Sequence, residues 1–500
     1  MIQSHATTKC HLMPMRAQSQ RPVRLTLKEA DWVRLRERLL QKDGLERQAF
    51  LELGMRDDQT VYDLFLHRMR PLTDEDYVFQ GPYRVRPTPE AVASAYNAYR
   101  ESGVPVHGHI HSHPFAEKGI FSGVDDKTRL DMAQGLSGLA GVIGMEDTAL
   151  CFQMVVGQKP SGFQGVLTDL NGVILGELDA VRVVGPRGIT VYGDAIRTVP
   201  RGDMIHDPRL DRNIRWLGED GQALLANTHV AVAGLGGAGA MLVANLRGLG
   251  LGEMTLIDPD LVEASNLNRL SGAGRRDVGL AKVHVFKREI LKVRPETKVN
   301  ALAVGVEDPK AQAHIARADV VIAALDGMGP RAELQVLCAR LLKPLFDLGS
   351  GILVDRDRTI KRMGSQIIVY VPGGPCLACQ SLDLFRPDSG IAGEIRKKTG
   401  YVAGTDFTPT AVATINSVAA GWAVDLFIRY LTGMGPIPLY TEIDQWAGTV
   451  RQVFFVKKAS CPVCGDGGLE GKGEDQTEPL SPPTEGLDFE ILDVSKEENL

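Results

Sequence analysis

The sequence predicts an α/β chain of two unlike parts. An N-terminal α+β domain precedes a domain with a mostly parallel sheet covered on both faces. Three observations carry this. Apolar periods of two and of three to four alternate along most of the chain. The stretch "VHGHIHSHPF" places His107, His109, His111 and His113 at every second position, as on one face of a strand. The stretch "HVAVAGLGGAGAMLVANLRGLGLGEMTLIDPD" reads as strand, glycine loop, helix and strand.

In chain order, residues 1–22 form a polar, basic lead-in without the apolar core of a secretory signal. Residues 23–185 form the first domain. Its expected strands are "AFLELGM", "YDLFLHRMRPL", "VPVHGHIHSHP", "SGLAGVIGM" and "LCFQMVVG". "TPEAVASAYNAYRES" and "VDDKTRLDMAQGL" are expected helices, the first with Thr88 and Pro89 as its start signal. Residues 186–207 are rich in turn formers and read as a linker. Residues 208–465 form the second domain. It has further strands at "VNALAVGV", "DVVIAAL", "PLFDLG", "SQIIVYV" and "RQVFFVK". Helices fall at "AKVHVFKREILKV", "GPRAELQVLCARLL" and "TAVATINSVAAGWAVDLFIRYLTG". Residues 466–500 turn acidic and rich in Gly, Pro and Ser, which predicts disorder apart from the apolar "LDFEILDV".

Composition narrows the function. The chain has 500 residues, 44% hydrophobic and 24% charged, as in ordinary globular proteins. A net charge of -6 gives no global reason to expect nucleic acid as a partner. The most apolar stretch is broken by glycines and an arginine, so no membrane span is expected. Seven cysteines, four of them in CxxC pairs, point to metal in a reducing compartment rather than to disulfides. The expected location is cytoplasmic.

Two histidines at i and i+2 on a strand can aim at one point, and a carboxylate from the next helix can complete three ligands. The motif resembles that of JAB/MPN (JAMM) metallopeptidases, in which a distant Glu precedes H-x-H-P and S-x-x-D. The resemblance makes His111, His113 and Asp125 zinc ligands and Ser122 the oxyanion donor. It makes Glu46, in "LERQAFLELG", the general base, with Glu52 as rival. His107 and His109 lie outside the motif and read as residues of the same strand face, able to support the ligands from behind. Members of this family cut the amide after the C-terminal glycine of ubiquitin-like proteins.

Gly234, Gly236, Gly237 and Gly239 let backbone approach a nucleotide phosphate at a helix N-terminus. Asp258 ends the next strand, as a ribose-binding acid would. A dehydrogenase would share those features. It would have little use for the Arg, Lys and extra carboxylate of "LIDPDLVEASNLNRL", "GLAKVHVFKREI" and "VVIAALDGMGPR". An adenylating enzyme needs that set to neutralise a triphosphate and hold magnesium. The pattern "DRNIRWLGEDGQALLANTHVAVAGLGGAGA…LIDPDLVEASNLNR…GLAK…ALDG…R" is similar to the ThiF/MoeB and ubiquitin-activating enzyme family. The resemblance implies a Rossmann-like ThiF-type fold, with Asp258 on the ATP ribose and Asn266, Arg269 and Lys282 on the phosphates. It places magnesium on Asp326 and brings Arg212 to the ATP of a partner subunit, hence a homodimer. It also implies a structural zinc held by Cys376, Cys379, Cys461 and Cys464, a pairing that suits a closed tetrahedral site.

Family members that form thioesters carry a cysteine in the crossover segment, here "QSLDLFRPDSGIAGEIRKKTGYVAGTDFTPTAVATINS", which has none. Cys338 and Cys151 read as core, Cys10 lies in the lead-in, and Thr405, Thr408 and Thr410 lack an evident base. The expectation is a bifunctional enzyme of a bacterial-type ubiquitin-like system. It would adenylate the C-terminal glycine of a ubiquitin-like protein and cleave after that C-terminus with zinc. The alternatives are an adenylyltransferase for a sulfur carrier, or an activating enzyme with a non-catalytic docking domain. A conjugating enzyme or a sulfur donor would be the next partner.

Overall fold

The computed structural model describes residues 20–143, 148–193, 207–354, 359–380 and 412–474. The first part runs β1 (Arg21–Lys28), α1 (Glu29–Leu39), β2 (Gln48–Asp57), β3 (Tyr62–Pro71), β4 (Tyr77–Gln80), β5 (Val85–Pro87), α2 (Pro89–Ser102) and β6 (Val106–Ser112). It continues through α3 (Gly123–Ile143), β7 (Leu150–Val156), β8 (Phe163–Thr168), β9 (Ile174–Gly185) and β10 (Gly188–Gly193). The sheet order is β1-β3-β2-β6-β7-β8-β9-β10, and β1 also pairs with β9. That extra pairing, parallel from Arg21↔Gly176 to Lys28↔Val184, closes the sheet into a barrel. The barrel is filled by Leu25, Leu51, Leu64, Ile110, Phe152 and Val181.

On β6 the barrel side is Val106 and Ile110, so His107, His109 and His111 face outward. They are buried nonetheless. A second cluster of Tyr99, Ala133, Leu136, Ala140 and Cys151, drawn from α2, α3 and β7, packs on that side of the sheet. The segment "SGLAGVIGM", expected as a strand, is helical as far as Ile143. Its buried residues continue the spacing Ala133, Leu136, Ala140, which is a helix period and not an alternation.

The second part runs α4 (Asp211–Ala226), β11 (His229–Ala233), α5 (Gly237–Leu246), β12 (Glu253–Ile257), α6 (Lys282–Leu291), β13 (Lys298–Leu302), α7 (Pro309–Arg317), β14 (Val320–Ala323) and α8 (Met328–Arg340). It ends with β15 (Leu345–Val354), β16 (Ile360–Tyr370), α9 (Leu377–Gln380), α10 (Ala413–Thr432), β17 (Tyr440–Asp444) and β18 (Thr449–Gln452). The order is β13-β12-β11-β14-β15-β16-β17-β18. Strands β11 to β15 are mutually parallel, and β16, β17 and β18 add on antiparallel. Apolar clusters cover both faces. Strand order reverses at β11, between β12 and β14, which opens a crevice at the carboxyl ends of the strands. "RQVFFVK" is strand only as far as Gln452, and Phe454 beyond it is exposed.

Two boundaries differ from expectation. The linker at 186–207 begins as strand β10, paired to β9 from Gly188↔Gly185 onward. Residues 194–206 lie outside the described residues. Residues 466–474 of the expected tail return to the barrel, and those after Glu474 lie outside the described residues. Gly54 N donates to Gly471 O at 3.2 Å, and Glu474 N donates to Met55 O at 3.1 Å. On its other side, Gly471 N and Gly473 N each donate at 3.1 Å to Ala339 O and Arg340 O at the end of α8. Glycines at φ 74° and 73° let the strap pass between the two parts. "LDFEILDV" lies outside the described residues.

Candidate active sites

The barrel site is built by register. Across β2 and β6, Gln48 faces His111, Phe50 faces His109 and Glu52 faces His107. His107 lies among Phe50, Tyr96 and Tyr99, with ring centroids 5.1–5.8 Å away, and burial pushes its imidazole down to about 4. His109 stacks on His111 at 5.4 Å, and burial pushes it down to about 3. Both are neutral packing residues of this face. His111 and His113 converge with Asp125, each offering a ligand atom within 4.8 Å of the others.

Asp125 belongs to the first turn of α3. Its Oδ1 is 3.0 Å from His111 Nε2. Its Oδ2 accepts from Ser122 N at 2.6 Å and Ser122 Oγ at 2.7 Å. Burial acts to raise this carboxyl, but His111 and Ser122 outweigh it and hold the group below the usual carboxylate range. Glu46 Oε1 is 3.7 Å from His113 Nε2. Burial, then the Asp125 charge, pushes Glu46 up to about 8. Glu52, opposite His107, lies near Arg68 instead, at 4.0 Å. The β4–β5 hairpin fixes Glu46 through backbone contacts. Glu46 N donates to Gly81 O at 2.9 Å, and Gln80 Nε2 donates to Glu46 O at 3.1 Å. Sequence reasoning missed that hairpin, because its contacts are to the Glu46 backbone and leave no motif in the sequence.

The crevice site gathers at the ends of β11, β12 and β14. Gly234 has φ 87°, and a Cβ there would lie 2.5 Å from Ala324 O, so only glycine fits. Leu235 N donates to Asp258 Oδ2 at 2.6 Å, which ties the glycine loop to β12. Gly236 caps α5 and Gly237 and Gly239 lie in its first turn, with no side-chain cap on the helix N–H groups. Lys282, buried at the start of α6, donates to Asp260 Oδ2 at 2.6 Å and lies 3.5 Å from Asp258 Oδ1. Burial raises the Asp258 carboxyl, with Lys282 opposing. Asn266 is buried and accepts from Glu263 N at 3.3 Å. Arg269 is half-buried and donates to Ser265 O at 2.9 Å.

Asp326 is exposed just past β14. Its loop is held by Arg331, which donates to Leu325 O at 2.7 Å and Leu348 O at 2.8 Å and lies 3.4 Å from buried Asp347. No role was assigned to Arg331 from sequence. Its place in the first turn of the helix after Asp326 was the available signal. Arg212 is not drawn into this crevice. Its side chain is 86% exposed, with Asp211 at 3.8 Å.

The four paired cysteines meet in a third site. Cys376 Sγ is 3.6 Å from Cys461 Sγ, and Cys379 Sγ is 3.5 Å from Cys464 Sγ. Four sulfurs around a tetrahedral zinc would lie about 3.8 Å apart, whereas bonded sulfurs lie at about 2 Å. The six described cysteines are free thiols. Cys151 is buried and pushed up to about 12, and burial raises Cys338 further, which removes both as nucleophiles. Cys10, Thr405, Thr408 and Thr410 lie outside the described residues.

The sheet order, the glycine loop and the paired cysteines all fall in a segment that a known family accounts for: the ThiF family model matches residues 210–463. The chain belongs to the ThiF family. Among curated relatives, the SAMP-activating enzyme E1 of Haloferax volcanii is 28% identical over 52% of this chain and 91% of its own length. The sulfur carrier protein ThiS adenylyltransferase of Escherichia coli is 27% identical over 49% of this chain and 89% of its own. The molybdopterin-synthase adenylyltransferase of the same organism is 28% identical over 50% and 93%. The barrel precedes the residues matched by the ThiF family model. Among the described residues, no helix is long and apolar enough to cross a membrane.

Proposed function

We propose that the ThiF-family domain adenylates the C-terminal carboxylate of a small ubiquitin-like or sulfur-carrier protein ending in glycine. One observation carries this. The strand-end crevice joins a glycine loop to Asp258, Lys282, Arg269 and Asp326, a set suited to a nucleoside triphosphate and magnesium. One relative is named as an activating enzyme E1 and another as a sulfur carrier protein adenylyltransferase, which supports this reading. A carboxylate oxygen attacks the α-phosphorus, the bond to the bridging β-oxygen breaks, and pyrophosphate leaves. Asp258 takes the ribose. Asn266, Arg269 and Lys282 take the phosphates, Lys282 leaving Asp260 to do so. Asp326 holds magnesium. Arg212, exposed on α4, serves the site of a second subunit in a homodimer in this reading. The adenylate then passes to a sulfur donor or a conjugating enzyme. ATP–pyrophosphate exchange should require the carrier and be abolished in Asp326→Ala. Exchange equal to wild type would sink the assignment.

The barrel carries a second activity in this reading, zinc-dependent cleavage after the same C-terminus. His111, His113 and Asp125 suit zinc. Their ligand atoms are mutually close, and His111 Nδ1 is buried without a hydrogen-bond partner. The chemistry a zinc ion supplies in such a set is Lewis acidity toward a carbonyl and a more acidic water. Glu46 would serve as the general base and then protonate the departing amine. Ser122 exchanges its bond to Asp125 for one to the developing oxyanion. Loss of zinc from the barrel with full carrier binding would instead favour a docking role.

A further inference from the structure

Helix α10 follows the crossover segment, and its first turns place Asn416 over the glycine loop. Asn416 is 3% exposed. Ser350 Oγ, from β15, donates to Asn416 Oδ1 at 2.8 Å, which orients the amide. The other end, Nδ2, has no acceptor among the described residues. It points at Gly237, the first residue of α5. A Cβ built on Gly237 would lie 2.1 Å from Asn416 Nδ2 and 3.1 Å from Arg269 Cδ. So Gly237, Arg269 and Asn416 meet at one point, beside helix N–H groups that no side chain caps.

The side chain is otherwise buried and its carbonyl end is already occupied, so this amide donor is free to meet a ligand at that point. An anion at the N-terminus of α5 would be such a ligand. We infer that Asn416 is a phosphate-binding residue of the nucleotide site, its Nδ2 donating to a phosphoryl oxygen of the nucleoside triphosphate, with Ser350 as the residue that positions it. This rests on the adenylation reading and adds a ligand from α10. It also gives Gly237 a second purpose: the missing Cβ leaves room for the amide.

The test is ATP–magnesium binding by calorimetry, together with KM and kcat for exchange, on the full chain. A hydrogen bond to a charged group predicts roughly ten- to hundredfold weaker ATP binding in Asn416→Ala. Asn416→Asp should be weaker still, because its charge repels phosphate. Gly237→Ala should weaken ATP and add little when combined with Asn416→Ala, since both remove the same contact. Ser350→Ala, a mild change, should cost a few-fold in ATP affinity with little change in Tm. Wild-type ATP affinity in Asn416→Asp and Ser350→Ala, with only Tm moved, would make Asn416 a packing residue and overturn this inference alone. No ATP binding by the wild type would overturn the adenylation reading, and this inference with it.

Discussion

Replacing Cys461 by Ser should remove one zinc and loosen the ThiF-family domain by an amount that follows from chain length. Cys376 and Cys461 are separated by 85 positions. A cross-link closing a loop of that length lowers the entropy of the unfolded chain by about 4.6 kcal/mol at 25 °C, from 2.1 + 1.5R ln n in cal/mol/K. A domain of this size shifts roughly 2–4 °C per kcal/mol, so Tm should fall by roughly 9–18 °C. Zinc per chain and Tm are measured on wild type, on Cys461→Ser and on wild type after chelation. The variant and the chelated protein should agree in Tm, and protease should cut sooner within residues 465–474. Unchanged zinc in Cys461→Ser, or a Tm within about 2 °C of wild type, would refute the cross-link argument.

The barrel gives a separate expectation. Glu46→Gln should keep zinc bound while cleavage of an amide after a C-terminal glycine falls by roughly 10²–10⁴. Glu52→Gln should leave cleavage intact, and the reverse pattern would move the base to Glu52. A third expectation concerns pH. Burial raises the Asp347 carboxyl to about 6, with Arg331 only partly opposing. The folded chain therefore holds this proton more tightly than the unfolded chain between about pH 4 and pH 6, and stability falls as pH rises through that window. The contribution is at most about 3 kcal/mol. Asp347→Asn should flatten the wild-type slope in urea midpoints between pH 4 and pH 6.5, and parallel slopes would contradict it.

Much of the arrangement was legible because it is local. An alternation of histidines needs only the period of a strand, and a glycine loop needs only its flanking strand and helix. What was hidden depends on register and on distant partners. Glu46 and Glu52 stand an even number of residues apart, just before and within β2, so spacing could not separate them. The pairing that sets Glu52 opposite His107 leaves Glu46 beside His113. Barrel closure comes from β1 meeting β9, strands about 150 residues apart in sequence. The strap after Cys464 has the composition of a disordered tail. Its glycines are instead needed to thread a narrow gap between Met55 and Arg340. Asn416 stands in an unremarkable apolar helix, and only the fold brings it to Gly237.

That strap changes what a boundary means in this protein. Arg56 of β2 holds Glu474 at 2.8 Å, and His67 of β3 meets Glu470 O at 2.7 Å, so the last described residues are fastened to strands near the first. Cutting the chain at 194–206 would leave two pieces still joined through the far end. A fragment ended at Cys464 would expose a seam on β2 that the whole chain keeps covered. The barrel and the ThiF-family domain are thus not interchangeable cassettes. A substitute for either would have to reproduce the other's half of that seam.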